Sequence, residues 1–277
     1  MGSHALLTTW DAWQVAQALS DRTITARHET IDRLLSTSGL GPLELTADAI
    51  MQFVGAPGLK PSTRATYHAT IRAYCDWLIR TGHREDDPTR TTPRPRRSRG
   101  LPRPVRDDQL LRILARANRR RTRMMILLGA LAGLRVHEIA KVHGHDVDIL
   151  SATITVLGKG GKLRQLPLHQ SILAEASTFP TDGWWFPSYR ADGGLPHVTS
   201  YGVSSSISDT MHRAGVNATP HALRHWYGTA LLDSGVDIRV VQELMRHESL
   251  QSTQIYTRVS EIQQRNGISA LALPPAA

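Results

Sequence analysis

The sequence predicts a mainly α-helical fold with a small β-hairpin. Apolar residues recur every three or four positions through most of the chain, which is the spacing of one helix face. Two short strand-like runs, Ala152 to Leu157 and Leu163 to Leu168, flank the glycine-rich segment GKGGK and predict the hairpin. A chain of 277 residues with 40% hydrophobic residues is long enough for one large domain or two ordinary ones.

Residues 1–85 are predicted to form a domain of short helices. A serine or threonine precedes each of four apolar stretches, and such side chains cap the first turn of a helix. The four predicted caps are Thr9, Thr25, Thr46 and Ser62. Gly82 follows the last stretch, which is typical of a helix end.

Residues 86–104 differ in composition from the rest of the chain. Their sequence, DDPTRTTPRPRRSRGLPRP, is rich in proline and arginine and nearly free of apolar residues, so it predicts an extended tether. Arginines dominate where a neutral spacer would suffice, and we expect this linker to run along nucleic acid. A plain solvated linker is the alternative. The predicted DNA-contacting residues are Arg94, Arg96, Arg97, Arg99 and Arg103, together with Lys162 and Arg164 of the hairpin.

Residues 105–277 are predicted to form a second domain that contains the hairpin. Gly133 is placed to stop the apolar helix that precedes it. The predicted helices are Leu110 to Ala117, Met124 to Ala132, Val136 to Val142, Thr199 to Ala214, Pro220 to Ser234, Asp237 to Arg246 and Ser252 to Gln263.

Composition restricts the class of protein. The net charge of +9 and the pI of about 10.3 indicate a polyanionic partner. Cys75 is the only cysteine, which excludes an intramolecular disulfide and a cysteine-based zinc site. No apolar run approaches the roughly 20 residues that span a membrane, and the N-terminus lacks the pattern of a signal peptide. We therefore expect a soluble cytoplasmic protein.

The segment TPHALRH predicts an anion site at a helix N-terminus. Thr219 suits the N-cap and Pro220 the first helical position, so His221 and Arg224 would lie on one face of the first turn. Free N–H groups and the helix dipole favour a phosphate there. A surface helix with incidental basic residues is the main alternative, and a zinc site using His221 and His225 is a weaker one.

Arg135 and Lys159 each allow two interpretations. Arg135 lies deep in apolar sequence, where its charge needs a partner, either Glu138 in a structural ion pair or a substrate phosphate. Lys159 lies at the predicted hairpin tip, where glycines let a ligand approach the backbone. An exposed turn lysine is the alternative there.

Taken together, these segments resemble a known family. Read in order, GLRVHE, GKGGKLRQLPL, TPHALRH, LMRH and TQIYTRV are similar to the active-site signature of the tyrosine recombinases, the phage integrase family. The similarity covers roughly Val105 to Val259. The resemblance implies a helical core-binding domain followed by a mixed α+β catalytic domain, and no separate arm-binding module ahead of Trp10.

The resemblance also implies a role for each matching residue. Tyr256 would attack the scissile phosphate to give a 3′-phosphotyrosine and a free 5′-hydroxyl. Arg135 and Arg224 would bind the non-bridging oxygens, and Lys159 would protonate the departing 5′ oxygen. His221 would exchange a proton with the tyrosine, His247 would donate to the phosphate, and Glu138 would support Arg135.

This chemistry needs no metal, cofactor or ATP. Phosphoryl transfer asks mainly for positioning and charge neutralisation, which two arginines and a lysine supply. The phenol of tyrosine has a pKa near 10, so the nucleophile needs a basic neighbour or a cationic field. The covalent intermediate keeps the energy of the phosphodiester, so resealing consumes no nucleotide.

Two positions depart from the family pattern. Arg246 stands where the family usually has glycine, and we expect it to strain the helix end or to add a phosphate contact. His137 stands where a small residue is common, and nothing in the sequence explains it.

The resemblance implies double-stranded DNA as partner, a homotetramer on DNA, a monomer free in solution and a possible accessory directionality factor. The apolar C-terminal tail would dock on a neighbouring protomer or pack within its own chain. Integrase is the favoured role, and chromosome-dimer resolvase or transposon recombinase are the alternatives. Rivals from other classes are a non-catalytic DNA-binding regulator, a type IB topoisomerase and a metal-dependent hydrolase.

Overall fold

The computed structural model describes residues 3–96, 103–158, 161, 163–188 and 194–246. In these ranges the protein is mainly helical with one small antiparallel sheet, which confirms the predicted fold class. The chain divides into two compact units, Met1–Gly100 and Leu101–Ala277. The division therefore falls inside the predicted linker.

The first unit is a bundle of four helices around an aromatic core. Its helices are α1 (Ser3–Ala16), α2 (Asp21–Ser38), α3 (Ala47–Gly55) and α4 (Pro61–Arg80). Trp10 of α1 meets Tyr74 of α4 edge to face, with 4.9 Å between the ring centroids, and Trp77 packs beside both. All three rings are buried, so they hold the first helix of the unit to the last.

Of the four N-cap residues predicted for this unit, one is correct. Thr46 caps α3, and its hydroxyl oxygen accepts the Ala49 N–H at 3.2 Å. The other three predicted caps were wrong because the helices begin earlier. Thr9, Thr25 and Ser62 lie inside α1, α2 and α4.

The first part of the predicted linker is folded, contrary to the extended tether that we expected. Pro88–Thr91 form a 3₁₀-helix, and Thr92 after it is buried. The Thr92 hydroxyl hydrogen-bonds the Nε2 of the buried His68 on α4 at 2.8 Å. A proline-rich segment can therefore pack against a helix through its threonines. The prediction of an extended tether considered only apolar residues and missed this contact.

The second unit contains seven α-helices, one 3₁₀-helix (Gly144–Asp146) and a three-stranded sheet among its described residues. The helices are α5 (Asp107–Arg116), α6 (Arg120–Leu131), α7 (Val136–Ile139), α8 (Gln170–Ala176), α9 (Ser200–Arg213), α10 (His221–Asp233) and α11 (Ile238–Met245). The strands are β1 (Val147–Asp148), β2 (Thr153–Leu157) and β3 (Leu163–Pro167), paired antiparallel in that order. The hairpin was predicted, whereas β1 and α8 were not, and α7 is one turn rather than two.

Helix α6 is the central element of the second unit. Its residues from Met124 to Ala130 are buried, as the all-round apolar sequence predicted. Gly129 lies against Leu223 of α10 and Ile139 of α7, so α6 supports both elements that carry candidate site residues. Among the residues that the structure describes, no helix combines the length and apolar character that crossing a membrane requires.

Candidate active site

The turn after α6 is built around Gly133. Its φ of +60° is a left-handed conformation that favours glycine. A Cβ at this position would also lie 2.5 Å from Cδ1 of Tyr227 on α10. Both the backbone conformation and the lack of space beside Tyr227 therefore require glycine at position 133. The turn that Gly133 allows places Arg135 at the N-cap of α7.

Arg135 and Glu138 form the ion pair that was one of the two interpretations of this arginine. Arg135 Nη1 donates to Glu138 Oε1 at 2.9 Å, and the Arg135 backbone N–H donates to Oε2 at 2.8 Å. The Glu138 side chain is 2% exposed, whereas that of Arg135 is 33% exposed. Arg135 is thus held by the carboxylate while part of its guanidinium side chain faces solvent, so the ion pair leaves room for an anion.

Helix α10 places His221 and Arg224 in its first turn. The helix begins at His221 with Pro220 as the N-cap residue, one position later than the predicted Thr219 cap. Arg224 is only 1% exposed. Its two terminal nitrogens donate to the carbonyl oxygens of Gly133 and Met245, so it connects the turn before Arg135 with the end of α11.

The two histidines of α10 are neutral at pH 7. The His221 and His225 rings contact each other with 4.3 Å between their centroids. Burial, together with the charges of Arg224 and Arg135, lowers the pKa of His221. Burial, His221 and Arg224 lower the pKa of His225 to about 4. A neutral imidazole can accept a proton, which is the property that a partner of a tyrosine nucleophile requires.

Arg246 ends α11 in an unusual backbone conformation. Its φ of 53° and ψ of 46° are left-handed, a conformation that costs a non-glycine residue about 1 kcal/mol. Its side chain is 6% exposed. Arg246 Nη2 donates to Glu138 Oε2 at 2.7 Å and to the Gly133 carbonyl at 3.2 Å. Of the two expected effects of this departure, the structure shows the strained helix end, and it adds a contact with Glu138.

The site carries an excess of positive charge. Arg135, Arg224 and Arg246 contribute three guanidinium charges against the one carboxylate of Glu138, which leaves two positive charges with the histidines neutral. Burial by itself raises the pKa of Glu138, but the Arg246 charge, the Arg135 N–H and the other arginine charges outweigh it and lower that pKa. The carboxylate is therefore ionised, and the remaining charge suits an anionic ligand.

Several predicted site residues lie outside the described residues. These are Lys159, His247 and Tyr256 of the predicted catalytic set, and Arg97, Arg99 and Lys162 of the predicted DNA contacts. A groove of about 400 Å³ connects Glu138 with β2 and with Leu163 at the start of β3. The two strands that flank Lys159 in the sequence thus border the same groove as α7. Arg94, Arg96, Arg103 and Arg164 are exposed, as DNA contacts require.

One group of side chains has the donor types of a metal site. Ligand atoms of His143, His145 and Asp182 lie within 4.8 Å of one another in the second unit. However, Nδ1 of His143 already accepts the His145 backbone N–H at 3.4 Å, and His145 and Asp182 are exposed. The group shares no residue with Arg135, Arg224, Arg246 and Glu138, hereafter the arginine cluster, so we assign it no part in the chemistry.

Comparison with known proteins identifies the family of the chain. Residues 103–262, more than half of the protein, match the phage integrase family. The chain belongs to this family. It is 34% identical over 236 residues to the tyrosine recombinase XerD of Caulobacter vibrioides, a match that covers 78% of this chain and 76% of that relative. The protein is therefore a tyrosine-type DNA recombinase.

Solved structures agree with this assignment. The integrase from mycobacterium phage Brujita is 41% identical, with a TM-score of 0.52 over 96% of this chain and 92% of that one. A lambda integrase tetramer bound to a Holliday junction gives a TM-score of 0.72 over 94% of this chain and 79% of that one. At 18% identity, the second match supports the fold alone.

Proposed function

We propose that the protein is a site-specific integrase that cleaves and rejoins DNA strands through a 3′-phosphotyrosine on Tyr256, without metal or ATP. One observation carries the proposal. Within the segment that matches the family, the fold gathers Arg135, Arg224, Glu138 and His221 around one turn, with positive charge in excess. This arrangement suits the transition state of phosphoryl transfer, which needs positioning and charge neutralisation.

In the proposed reaction the Tyr256 oxygen forms a bond to the scissile phosphorus while the bond from phosphorus to the 5′ oxygen breaks. His221, neutral at pH 7, accepts the phenolic proton, and Lys159 gives a proton to the 5′ oxygen. Arg135 would donate to the non-bridging oxygens, and the buried charge of Arg224 would stabilise the same developing negative charge. Attack by a 5′-hydroxyl on the phosphotyrosine reverses these steps and reseals the strand, with His247 as a further donor to the phosphate.

The two arginines would contribute differently because their surroundings differ. Arg135 is one third exposed, so its guanidinium can contact a phosphate directly. Arg224 is buried and donates to two backbone carbonyls, so it brings a fixed charge into a region of low dielectric. A buried charge acts over several ångströms with little screening, and we assign Arg224 both stabilisation of the phosphate and support of the turn.

The integrase role rests on the relative of higher identity. The phage integrase is 41% identical over nearly the whole chain, and we infer from it that this protein integrates a viral genome. A chromosome-dimer resolvase is the second candidate, because the curated relatives at 28–34% identity are named XerC and XerD. In either role we expect a monomer in solution, a tetramer on DNA in the cytoplasm, and, for an integrase, an accessory directionality factor.

The test is a covalent-adduct assay. Duplexes that bind the full chain are selected from a random library, and the selected site is then nicked near the cleavage position. We expect wild type to form a protease-sensitive covalent adduct on this suicide substrate in the presence of EDTA. Tyr256→Phe should bind the duplex equally well and form no adduct, whereas Tyr201→Phe, a control at a tyrosine that is 82% exposed, should react like wild type.

Three results would contradict the proposal. They are an adduct with Tyr256→Phe, a requirement for a divalent metal, and DNA binding by wild type without any cleavage. The last would indicate a non-catalytic regulator. Integrase and resolvase are then separated by substrate, since an integrase joins two different sites and a dimer resolvase two copies of one site.

A further inference from the structure

The second cation on Glu138 comes from an arginine where the family usually has glycine. A glycine would adopt the left-handed end of α11 without strain, but this chain keeps Arg246 there at a φ of 53°. The side chain that causes the strain is also buried, which is unfavourable for a guanidinium. Two unfavourable features at one residue indicate that the contacts of its side chain compensate for both.

The shortest of these contacts, at 2.7 Å, is with the carboxylate that holds Arg135, while Arg246 Nη1 donates to the Leu244 carbonyl at 3.4 Å and Arg246 Nε is buried without a hydrogen-bond partner among the described residues. Arg135 Nη1 donates to Oε1 of Glu138 at 2.9 Å, and Arg246 Nη2 donates to Oε2 of the same carboxylate at 2.7 Å. The same Arg246 nitrogen also reaches the carbonyl of Gly133, two residues before Arg135. Arg246 therefore contacts both the partner of Arg135 and the turn that precedes it.

We propose that Arg246 is a positioning residue of the active site, which holds Glu138 in the orientation that aims Arg135 at the scissile phosphate. The inference rests on the proposed function, because a fixed orientation of the Arg135 side chain matters only if Arg135 binds the scissile phosphate. In this chain Arg246, at the position where the family usually has glycine, would act on Arg135 through their shared partner Glu138.

The charge balance around Glu138 explains why one cation would be insufficient. Glu138 is 2% exposed, and burial by itself favours its protonated form. The charged groups that face it are Arg135 before α7, Arg224 of α10 and Arg246 of α11, while Tyr227 of α10 lies near Arg246. Without Arg246 the carboxylate would lose the largest of the favourable charges, and its pKa would rise. A protonated Glu138 would hold Arg135 more weakly.

A purely structural role for Arg246 predicts a different pattern. If the residue only closed the end of α11, its loss would lower stability and would reduce the cleavage rate by the same factor at every pH. The positioning role instead couples the loss to the titration of Glu138. The rate deficit should then grow as the pH falls, and it should disappear when Glu138 cannot titrate.

The experiment measures single-turnover cleavage of the suicide duplex between pH 5.5 and 8 for wild type and Arg246→Gln. We expect the variant to be about tenfold slower at pH 8 and about a hundredfold slower at pH 5.5, with unchanged affinity for DNA. Arg246→Lys should recover most of the rate at both pH values. In the Glu138→Gln background, Arg246→Gln should cause no further pH-dependent loss. Arg239→Gln, at an exposed arginine of the same helix, is the matched control and should behave like wild type.

A second readout does not depend on cleavage. Without Arg246, burial should raise the pKa of Glu138, so as the pH falls the native variant should take up a proton at Glu138 while wild type stays ionised, and that proton relieves the variant's unpaired buried charge. The difference in melting temperature between wild type and Arg246→Gln should therefore shrink from pH 7 to pH 4. A pH-independent rate deficit and a constant melting difference would together overturn the inference. A wild type that forms no adduct, with the melting pattern as expected, would instead refute the proposed function and leave the link between Arg246 and Glu138 intact.

Discussion

The aromatic core of the first unit and the arginine cluster of the second unit bury side chains for opposite reasons. The apolar ring surfaces of Trp10, Tyr74 and Trp77 lose contact with water favourably and meet in edge and tilted geometries that stabilise the fold. The Tyr74 hydroxyl is a polar exception, since it is buried without a hydrogen-bond partner among the described residues. Arg224, Arg246 and Glu138 lose hydration that their mutual contacts only partly replace. Stability accounts for the first cluster without reference to function. The second cluster requires a purpose other than stability, and the proposed phosphate chemistry would provide one.

The largest effect is expected from the aromatic core and should appear in stability alone. Trp10→Ala removes a side chain that is 1% exposed and should lower the free energy of unfolding by about 3–5 kcal/mol. Denaturant unfolding followed by circular dichroism checks this value. Trp13→Ala, at an exposed position of the same helix, should cost less than about 1 kcal/mol. The folded fraction of Trp10→Ala should cleave DNA at the wild-type rate. A much lower cleavage rate per folded molecule would contradict the idea that the aromatic core serves stability alone.

The next effect is expected from the active site and should appear in rate. Arg135→Ala removes the proposed donor to the phosphate in the transition state and should slow cleavage about 10²–10³-fold. Because Arg246, the larger of the two directly bonded charges on Glu138, stays in place, unfolding should be affected less than by Arg246→Gln. Single-turnover cleavage and thermal melting measure the two quantities. Arg123→Ala, which removes an arginine paired with Glu175 in the same unit, is the control and should keep the wild-type rate.

A substitution at the turn separates backbone strain from crowding. Gly133→Ala meets a left-handed φ and also the Tyr227 ring, whereas Gly215→Ala meets only a left-handed φ of +68° with open space around it. We expect Gly215→Ala to cost about 1–2 kcal/mol and Gly133→Ala about 1–3 kcal/mol more. Chemical denaturation gives both values. Only Gly133→Ala should also slow cleavage, and equal costs at the two glycines would show that the Tyr227 ring yields freely.

The titration of the two α10 histidines should make the second unit sensitive to acid. Their pKa values are lowered in the folded state, so the unfolded chain binds more protons below its own pKa near 6.5. The sign follows: stability should fall as the pH drops from 7 towards 4. Replacing His221 and His225 together with glutamine should flatten the pH dependence of the denaturation midpoint. An unchanged slope would mean that neither histidine is buried as described.

The smallest effect is expected from single exposed arginines of the linker. Arg96 is exposed, and its predicted phosphate contact would be one of many. Arg96→Ala should reduce the slope of log affinity against log salt by about 1 and should leave adduct formation on saturated DNA unchanged. Arg80→Ala, at an arginine already paired with Asp76, should leave the slope unchanged. Fluorescence anisotropy at several salt concentrations measures both.

Local signals predicted much of the fold. Thr46 as a cap, Gly133 as a stop and the hairpin around GKGGK each follow from the chemistry of one or two residues. The misses have physical reasons. The helix start at Ser3 depends on burial of Leu6 and Leu7 against the rest of the unit, and β1 is two residues long. Neither has a repeating pattern to detect.

The candidate site shows the same limit. The pairing of Arg135 with Glu138 was predictable because the two residues are three apart on one helical turn. The contact of Arg246 with Glu138 joins residues 108 positions apart, and no spacing rule connects them. The missing glycine marked Arg246 as unusual, but only the packing of α11 against the turn at Gly133 shows where its side chain goes.

The carbonyl of Gly133 accepts from both Arg224 and Arg246, and those two arginines belong to different parts of the chain. A substitution does not remove a backbone oxygen. This junction, the two hydrogen bonds from Arg224 and Arg246 to the Gly133 carbonyl, should therefore survive substitutions of the surrounding residues as long as both guanidinium groups remain. Since the junction joins the turn before α7 to the first turn of α10 and the end of α11, local opening of one should release the others. The amides of α7 and of the last turn of α11 should therefore exchange their hydrogens at a common rate, as one cooperative unit.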